Sequence, residues 1–204
     1  MIELTRSHFF GRGLHRECYE HPNDSSLCIK VVVAGNLQES QREQKYYKLL
    51  KKRGTPWEVL PEFHGVVETN LGSGAVFDLI RDYDGSISKT LRHYLSSPET
   101  PPPLHSEIAN AINAFGNSLY QLKLITMTLS PKNIVFKKLS PSGNSLVIID
   151  NIGNSDFIPI TNHIDFLAQK KILRRLTRFH STVLKMSQHK PELHTVLKAE
   201  LKTP

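Results

Sequence analysis

Four side chains in this sequence sit where charge chemistry could be done. Lys30 stands in the apolar run Cys28-Ile29-Lys30-Val31, and Glu43 lies on a helical pattern. Asn133 and Asp150 mark the edges of two further apolar runs, Ile134-Val135-Phe136 and Val147-Ile148-Ile149. A carboxylate on the apolar stripe of a helix needs a cation, because an unpaired buried charge costs several kcal/mol. Glu43 shares its stripe with Tyr46, Tyr47 and Leu50 at i, i+3, i+4 and i+7. Lys30 is its expected partner, with Glu39 one turn earlier as the alternative carboxylate. Other chemistries are set aside on residue types. The histidines are scattered with no HExxH and no CxxC, which argues against structural zinc. Cys18 and Cys28 cannot make a disulfide framework and are expected to be reduced.

The elements that must position these groups follow from periodicity and turn residues. Residues 6–33 read as a three-stranded meander with turns at Gly11-Arg12-Gly13 and His21-Pro22-Asn23-Asp24. A hairpin centred on Asn23 sets Cys18 opposite Cys28 and Arg16 opposite Lys30. A helix is expected over 36–53, stopped by Gly54 and Pro56. Strands at 63–69 and 75–80, joined by a turn at 70–74, complete a five-stranded antiparallel sheet with one helix. Arg81-Asp82-Tyr83-Asp84-Gly85 is a polar connector. A short helix is expected over 86–95 with Ser86 as its N-cap, then a proline linker to Pro103. The next helix, from about Ser106, carries Ile108, Ile112, Phe115, Leu119 and Leu122 on one face. Strands at 133–139 and 146–152 flank a turn at 140–144. One or two basic helices are expected over 163–187, and the tail to Pro204 is left unspecified.

At 204 residues the chain suits one unit, or two small lobes, and its 39% hydrophobic and 22% charged residues are ordinary for a globular protein. No apolar run approaches the roughly 18 residues needed to span a bilayer. Met1-Ile2-Glu3-Leu4-Thr5-Arg6 lacks the basic-then-apolar pattern of a secretory signal, so a cytoplasmic protein is expected. The net charge is +7, and residues 170–202 hold nine Lys and Arg against two Glu, which accounts for the whole excess. That segment is expected to be the solvated face of a helix, with nucleic acid, an anionic membrane surface or an acidic partner as alternatives.

The stretch Thr126-Met127-Thr128-Leu129-Ser130-Pro131-Lys132-Asn133, with Asp150-Asn151-Ile152-Gly153, resembles the catalytic loop and DFG region of protein kinases. The resemblance implies that Asn133 and Asp150 hold Mg²⁺ and that Lys30 holds the α- and β-phosphates of ATP. It also implies that Glu43 pairs with Lys30, and that Gly11 and Gly13 belong to a Gly-rich loop. Cys18 and Cys28 would roof the adenine, and residues 78–80 would meet its edge. There are four departures. Thr128 stands where the base Asp belongs, Ser130 replaces the loop Lys although Lys132 is close by, Arg16 replaces the third Gly, and two residues separate Asp150 from Gly153.

The wider resemblance, over nearly the whole chain, is to the YrbL family of kinase-like proteins connected with the PhoP regulatory network. It rests on Gly11-Arg12-Gly13, His15-Arg16, Cys18-Tyr19, Cys28-Ile29-Lys30, Phe63-His64-Gly65-Val66-Val67-Glu68-Thr69, Asp82-Tyr83-Asp84-Gly85, Thr126-Met127, Pro131 with Asn133-Ile134, and Asp150-Asn151-Ile152-Gly153. It implies an α+β, truncated bilobal protein-kinase-like fold: a five-stranded antiparallel N-lobe sheet with one helix over 1–80, a hinge over 81–85, and a small, mostly helical C-lobe over 86–204. The expected function is that of a nucleotide-binding pseudokinase acting through a protein partner. The alternatives are an active atypical Mg²⁺-dependent kinase and an interaction module without nucleotide.

Overall fold

The computed structural model describes residues 1–35, 37–98, 100–153 and 165–204. The chain divides into two compact units, one formed by Met1–Trp57 with Pro61–Arg81, the other by Glu58–Leu60 with Asp82–Pro204.

The first unit is a five-stranded antiparallel sheet with one helix. Its strands are β1 (Phe9–Arg12), β2 (Arg16–His21), β3 (Asp24–Val32), β4 (Phe63–Thr69) and β5 (Gly72–Asp78), in the order β1-β2-β3-β5-β4. Alternation along the strands gives two faces. Leu4, Tyr19, Ile29, Val31 and Val76 form a buried cluster on one. On the other, Cys28 pairs with Phe77, Lys30 with Ala75 and Cys18 with Lys30. Helix α1 (Gln38–Lys52) buries Glu43, Tyr46, Tyr47 and Leu50, the stripe read from the sequence, together with Ser40. Tyr47 packs edge-on to Phe77 at 5.2 Å between ring centres and stacks on Trp57 at 6.0 Å. Beyond the helix, Gly54 takes φ +66°, a left-handed conformation that glycine adopts without a Cβ clash. The expected helix start at Asn36 lies outside the described residues.

The β2–β3 register departs from the expected hairpin by two residues. Cys18 faces Lys30 and Arg16 faces Val32, where Cys28 and Lys30 were expected. The cause is a bulge: Ser25, Ser26 and Leu27 have no counterparts on β2 between the His21–Asp24 and Glu20–Cys28 pairs. Asp24 Oδ1 accepts both the Ser26 N–H at 2.9 Å and its hydroxyl at 2.6 Å, turning the strand locally. The Ser26 carbonyl is taken by the Leu79 N–H at 2.7 Å and the Ser25 carbonyl by Arg81 Nε at 2.9 Å. A slip of two leaves every side chain on its original face. The β4–β5 turn is also tighter than expected: Thr69 pairs directly with Gly72, whose φ is +103°.

Neither cysteine is in a disulfide. Cys28 is only 4% exposed, its thiol donates to the Asp78 carbonyl at 3.7 Å, and burial pushes its pKa up to about 12. Cys18 is half-buried. An aromatic disulfide reagent at mildly alkaline pH is therefore expected to titrate one thiol per folded chain and a second only in denaturant. Two fast-reacting thiols in the folded protein would contradict this packing.

The second unit holds α2 (Leu91–Ser96), α3 (Pro103–Gln121), β6 (Ile134–Lys138), β7 (Asn144–Ile148), α4 (Asp165–Ser187) and α5 (Pro191–Glu200). Helix α3 packs against β7, α4 and α5, burying Ile108, Ile112, Phe115 and Leu119. Strands β6 and β7 form a hairpin, and the Ile148 N–H donates to the Val59 carbonyl at 3.0 Å, which explains why 58–60 belongs to this unit. Helix α2 starts later than expected. Ser86 does not cap it, because its N–H and hydroxyl both donate to Asp84 Oδ1. The chain then runs extended beside β6, with Lys89 accepting from the Phe136 N–H and Thr90 bridging to Val135. Thr90, not Ser86, is the cap. The tail left unspecified is helical over Pro191–Glu200, with Leu193 and Leu197 buried and Asn113 of α3 bonding the Glu200 carbonyl and the Lys202 N–H. His163, the expected start of the basic helices, lies outside the described residues.

Candidate functional site

Lys30 sits near the C-terminal end of β3, the central strand of the sheet, and is 7% exposed, with its ammonium 4.3 Å from the centre of the Phe77 ring. The ring's quadrupole attracts the cation, and more strongly where water is excluded. Cys18, Cys28 and Phe77 share this face by register. Gly11 pairs with Cys18 within β1–β2, and the Gly13 N–H donates to the Arg16 carbonyl at 2.8 Å to close the loop. Neither glycine has a positive φ, and a Cβ on Gly11 would meet nothing within 4 Å. The local backbone does not require glycine at Gly11, and the space beside it is open.

Glu39 is exposed, whereas Glu43 is the buried carboxylate of α1, at 1% exposure. Its partner corrects the sequence reading. Arg16 from β2 makes an ion pair and hydrogen bond to Glu43 Oε2, where Lys30 was expected. The two-residue slip of β2 carries Arg16 past Lys30 to Val32, at the end of β3 that leads into α1. Glu43 Oε1 is buried with no hydrogen-bond partner. Of the residues expected to meet an adenine edge, Asp78 is engaged within the sheet, accepting from the Glu62 N–H at 2.8 Å and bonding His64 Nε2 at 2.7 Å. The Leu79 N–H is likewise taken by Ser26.

In the second unit, Asn133 and Asp150 belong to one backbone network. Pro131–Asn133 forms a single 3₁₀ turn closed by the Asn133 N–H on the Ser130 carbonyl, and Asn133 is 8% exposed. Its carbonyl accepts the N–H of Ile149, the residue before Asp150, at 2.8 Å. On the other side, the Met127 N–H donates to Asn151 and the Gly153 N–H to Ile125, with Thr126 bridging to Ile152. The residues flanking position 128 and the residues around Asp150 are thus zipped together. Asp150 Oδ1 accepts the Asn151 N–H at 2.7 Å, and Asn151 has φ +63°. Thr128 is exposed, as is Lys132. A carboxylate and a carboxamide are hard oxygen donors suited to Mg²⁺, which is commonly held by one or two such protein groups with phosphates and water completing its shell. Among the described residues, no cluster of three or more His, Cys, Asp or Glu offers an all-protein metal cage.

Sequence reasoning did not find Arg16 as the cation for Glu43, Phe77 as the platform under Lys30, or the part played by Asp82. Asp82 is buried and accepts from Ser88 Oγ at 2.5 Å and the Lys138 N–H at 3.0 Å. Its neighbour Arg81 bonds Ser25 and Glu20 of the first unit. The unit boundary therefore falls between two residues that are each tied to their own side.

These features define a class: the fold is that of a protein kinase domain in reduced form. The kinase domain of Mycobacterium tuberculosis PknI is similar, with TM-score 0.55 and 15% identity, covering 98% of this chain and 88% of that one. A mutant of the same domain gives TM-score 0.54 at 15% identity, covering 96% and 86%. Residues 2–184 match the family described as PhoP regulatory network protein YrbL, and the chain belongs to that family. YrbL of Escherichia coli K12 and YrbL of Shigella flexneri are each 35% identical over 182 residues, covering 88% of this chain and 86% of theirs. No described helix is long and apolar enough to cross a membrane.

Proposed function

We propose that this chain is a nucleotide-binding pseudokinase that binds ATP with Mg²⁺ and presents a nucleotide-ordered surface to a regulatory partner. Lys30 supplies the cation for the phosphates, and Asn133 and Asp150 supply the metal ligands. The observation that carries this reading is the contrast within one backbone network: Asn133 and Asp150 are fixed by paired strands, while the base position beside them is an exposed threonine. A threonine hydroxyl does not accept a proton near neutral pH. Loss of a general base costs roughly 10² to 10⁴ in rate. Bound Mg²⁺ would neutralise phosphate charge. Arg16 holds Glu43 and so ties α1 to β2, and Phe77 holds the Lys30 ammonium in place.

Thermal unfolding with and without ATP and Mg²⁺ tests the reading. A ligand at about a hundred times its Kd stabilises by about 2.7 kcal/mol, which for a chain of this size is on the order of 5–10 °C in Tm. The wild type is expected to shift by that amount, and Lys30→Ala and Asp150→Ala to lose most of it. An unshifted wild type would overturn it in favour of an interaction module without nucleotide, and variants that shift as much as wild type would overturn the assignment of Lys30 and Asp150 to the nucleotide site. Transfer of labelled phosphate to an acceptor, lost in Asp150→Ala, would instead establish an active atypical kinase, since phosphoryl transfer draws most of its acceleration from positioning and charge neutralisation.

A further inference from the structure

After Asp165, helix α4 contains no further acidic residue, yet it carries Lys170, Lys171, Arg174, Arg175, Arg178 and Lys185. Its buried face, which includes Ala168, Ile172, Leu176, Phe179 and Val183, is covered by α2, α3 and α5. Asp165 is already paired with Lys123. On the opposite side Phe166, Lys170, Arg174, Arg178 and Lys185 are all exposed. At 3.6 residues per turn these five fall within an arc of about 120°, and successive members of the Phe166-Lys170-Arg174-Arg178 series rise about 6 Å along the axis. Thr177 and Ser181, also exposed, fill the gaps between them. The face thus carries four cations, no carboxylate, and at its N-terminal end a phenylalanine that is 70% exposed.

We propose that this face of α4 docks on an anionic lipid bilayer. The charge requires a polyanion, and the shape selects the kind. A helix read by duplex nucleic acid must enter a groove roughly 12 Å wide, about its own diameter, and so must protrude. Helix α4 is embedded along its other side by three helices and can offer only one face to a plane. The lysine and arginine stems can lie along an interface while their heads meet lipid phosphates. An exposed aromatic in line with them suits shallow insertion at the acyl boundary. The same arrangement accounts for the placement of the chain's charge, since the whole +7 excess falls in residues 170–202. The inference is independent of nucleotide binding.

Co-sedimentation of the full chain with vesicles tests it, using phosphatidylcholine alone or mixed with phosphatidylglycerol, at low and high salt. Binding is expected only with phosphatidylglycerol and is weakened by salt. Each juxtamembrane charge removed lowers partitioning about fivefold, so the triple variant Lys170→Gln, Arg174→Gln, Arg178→Gln should bind about a hundredfold more weakly. Phe166→Ser should also weaken binding, which a purely ionic contact would not show. All four side chains are exposed, and unchanged unfolding midpoints would confirm that the variants fold. Equal binding to both vesicle types, or full binding by the triple variant, would overturn the proposal. So would displacement by duplex DNA combined with no effect of Phe166→Ser, which would point to nucleic acid.

Discussion

Arg16→Ala is expected to destabilise the fold by about 3–5 kcal/mol, the usual cost of stripping one partner from a buried ion pair. The size follows from what is left behind. The Glu43 side chain is 2% exposed, its Oε2 is held by Arg16, and its Oε1 already lacks a hydrogen-bond partner. Without the guanidinium, a carboxylate would remain in a nearly dry setting on the helix face that packs with Tyr46, Tyr47 and Leu50. Replacing both partners with leucine should recover most of the loss, because the isolated charge disappears with its partner. Urea unfolding of wild type, Arg16→Ala, Glu43→Leu and the double leucine variant gives the comparison. A loss under about 1 kcal/mol in Arg16→Ala would show that the carboxylate finds water or another cation.

The second large effect is expected at Phe77. It is fully buried, touches Tyr47 and Phe63 with ring centres 5.2 Å apart, and lies under the Lys30 ammonium. Phe77→Ala should cost about 3–5 kcal/mol, as the transfer free energy of the ring adds to the cavity it leaves. Phe77→Leu keeps much of the volume and should cost under about 1.5 kcal/mol. The leucine variant still removes the π-face beneath Lys30. It should therefore fold nearly as well as wild type and yet show a reduced stabilisation by ATP and Mg²⁺. If Phe77→Leu leaves that response untouched, the ring serves only the core. If Phe77→Ala unfolds as late as wild type, the aromatic cluster is not what holds α1 to the sheet.

Local pattern read well where one physical signal dominated. The observed bounds of β4 coincide with those expected from the sequence, because a β-branched and aromatic run from Phe63 to Thr69 lies between turn residues, and burial alternates along the strand. The stripes of α1 and α3 likewise announced their buried faces. Reading failed where a polar side chain had two local uses. Asp24-Ser25-Ser26 reads equally as turn and strand, and only the bonds from Asp24 to Ser26 and from Arg81 to Ser25 make it a bulge. Ser86 could cap a helix, but the carboxylate of Asp84 lay closer to hand. Helix α5 was missed because only Leu193 and Leu197 mark its buried side. At the candidate site, Asn133 and Asp150 were legible as a motif. The cation for Glu43 was not, since spacing within one element says nothing about which strand will slide beside it.

The left-handed turn at Asn151 bears on how degenerate motifs should be weighed. Asp150 is followed by one residue more than the three-residue kinase motif allows, which on paper counts as damage. Asn151 takes φ +63°, a conformation that asparagine tolerates better than most residues, and pairing resumes at once between Ile152 and Thr126. With Asn151 in this left-handed conformation, residues 151–153 stay paired with residues 125–127. The extra residue therefore does not interrupt the backbone pairing on either side of Asp150, and motif length alone is a poor measure of how intact this segment's backbone is.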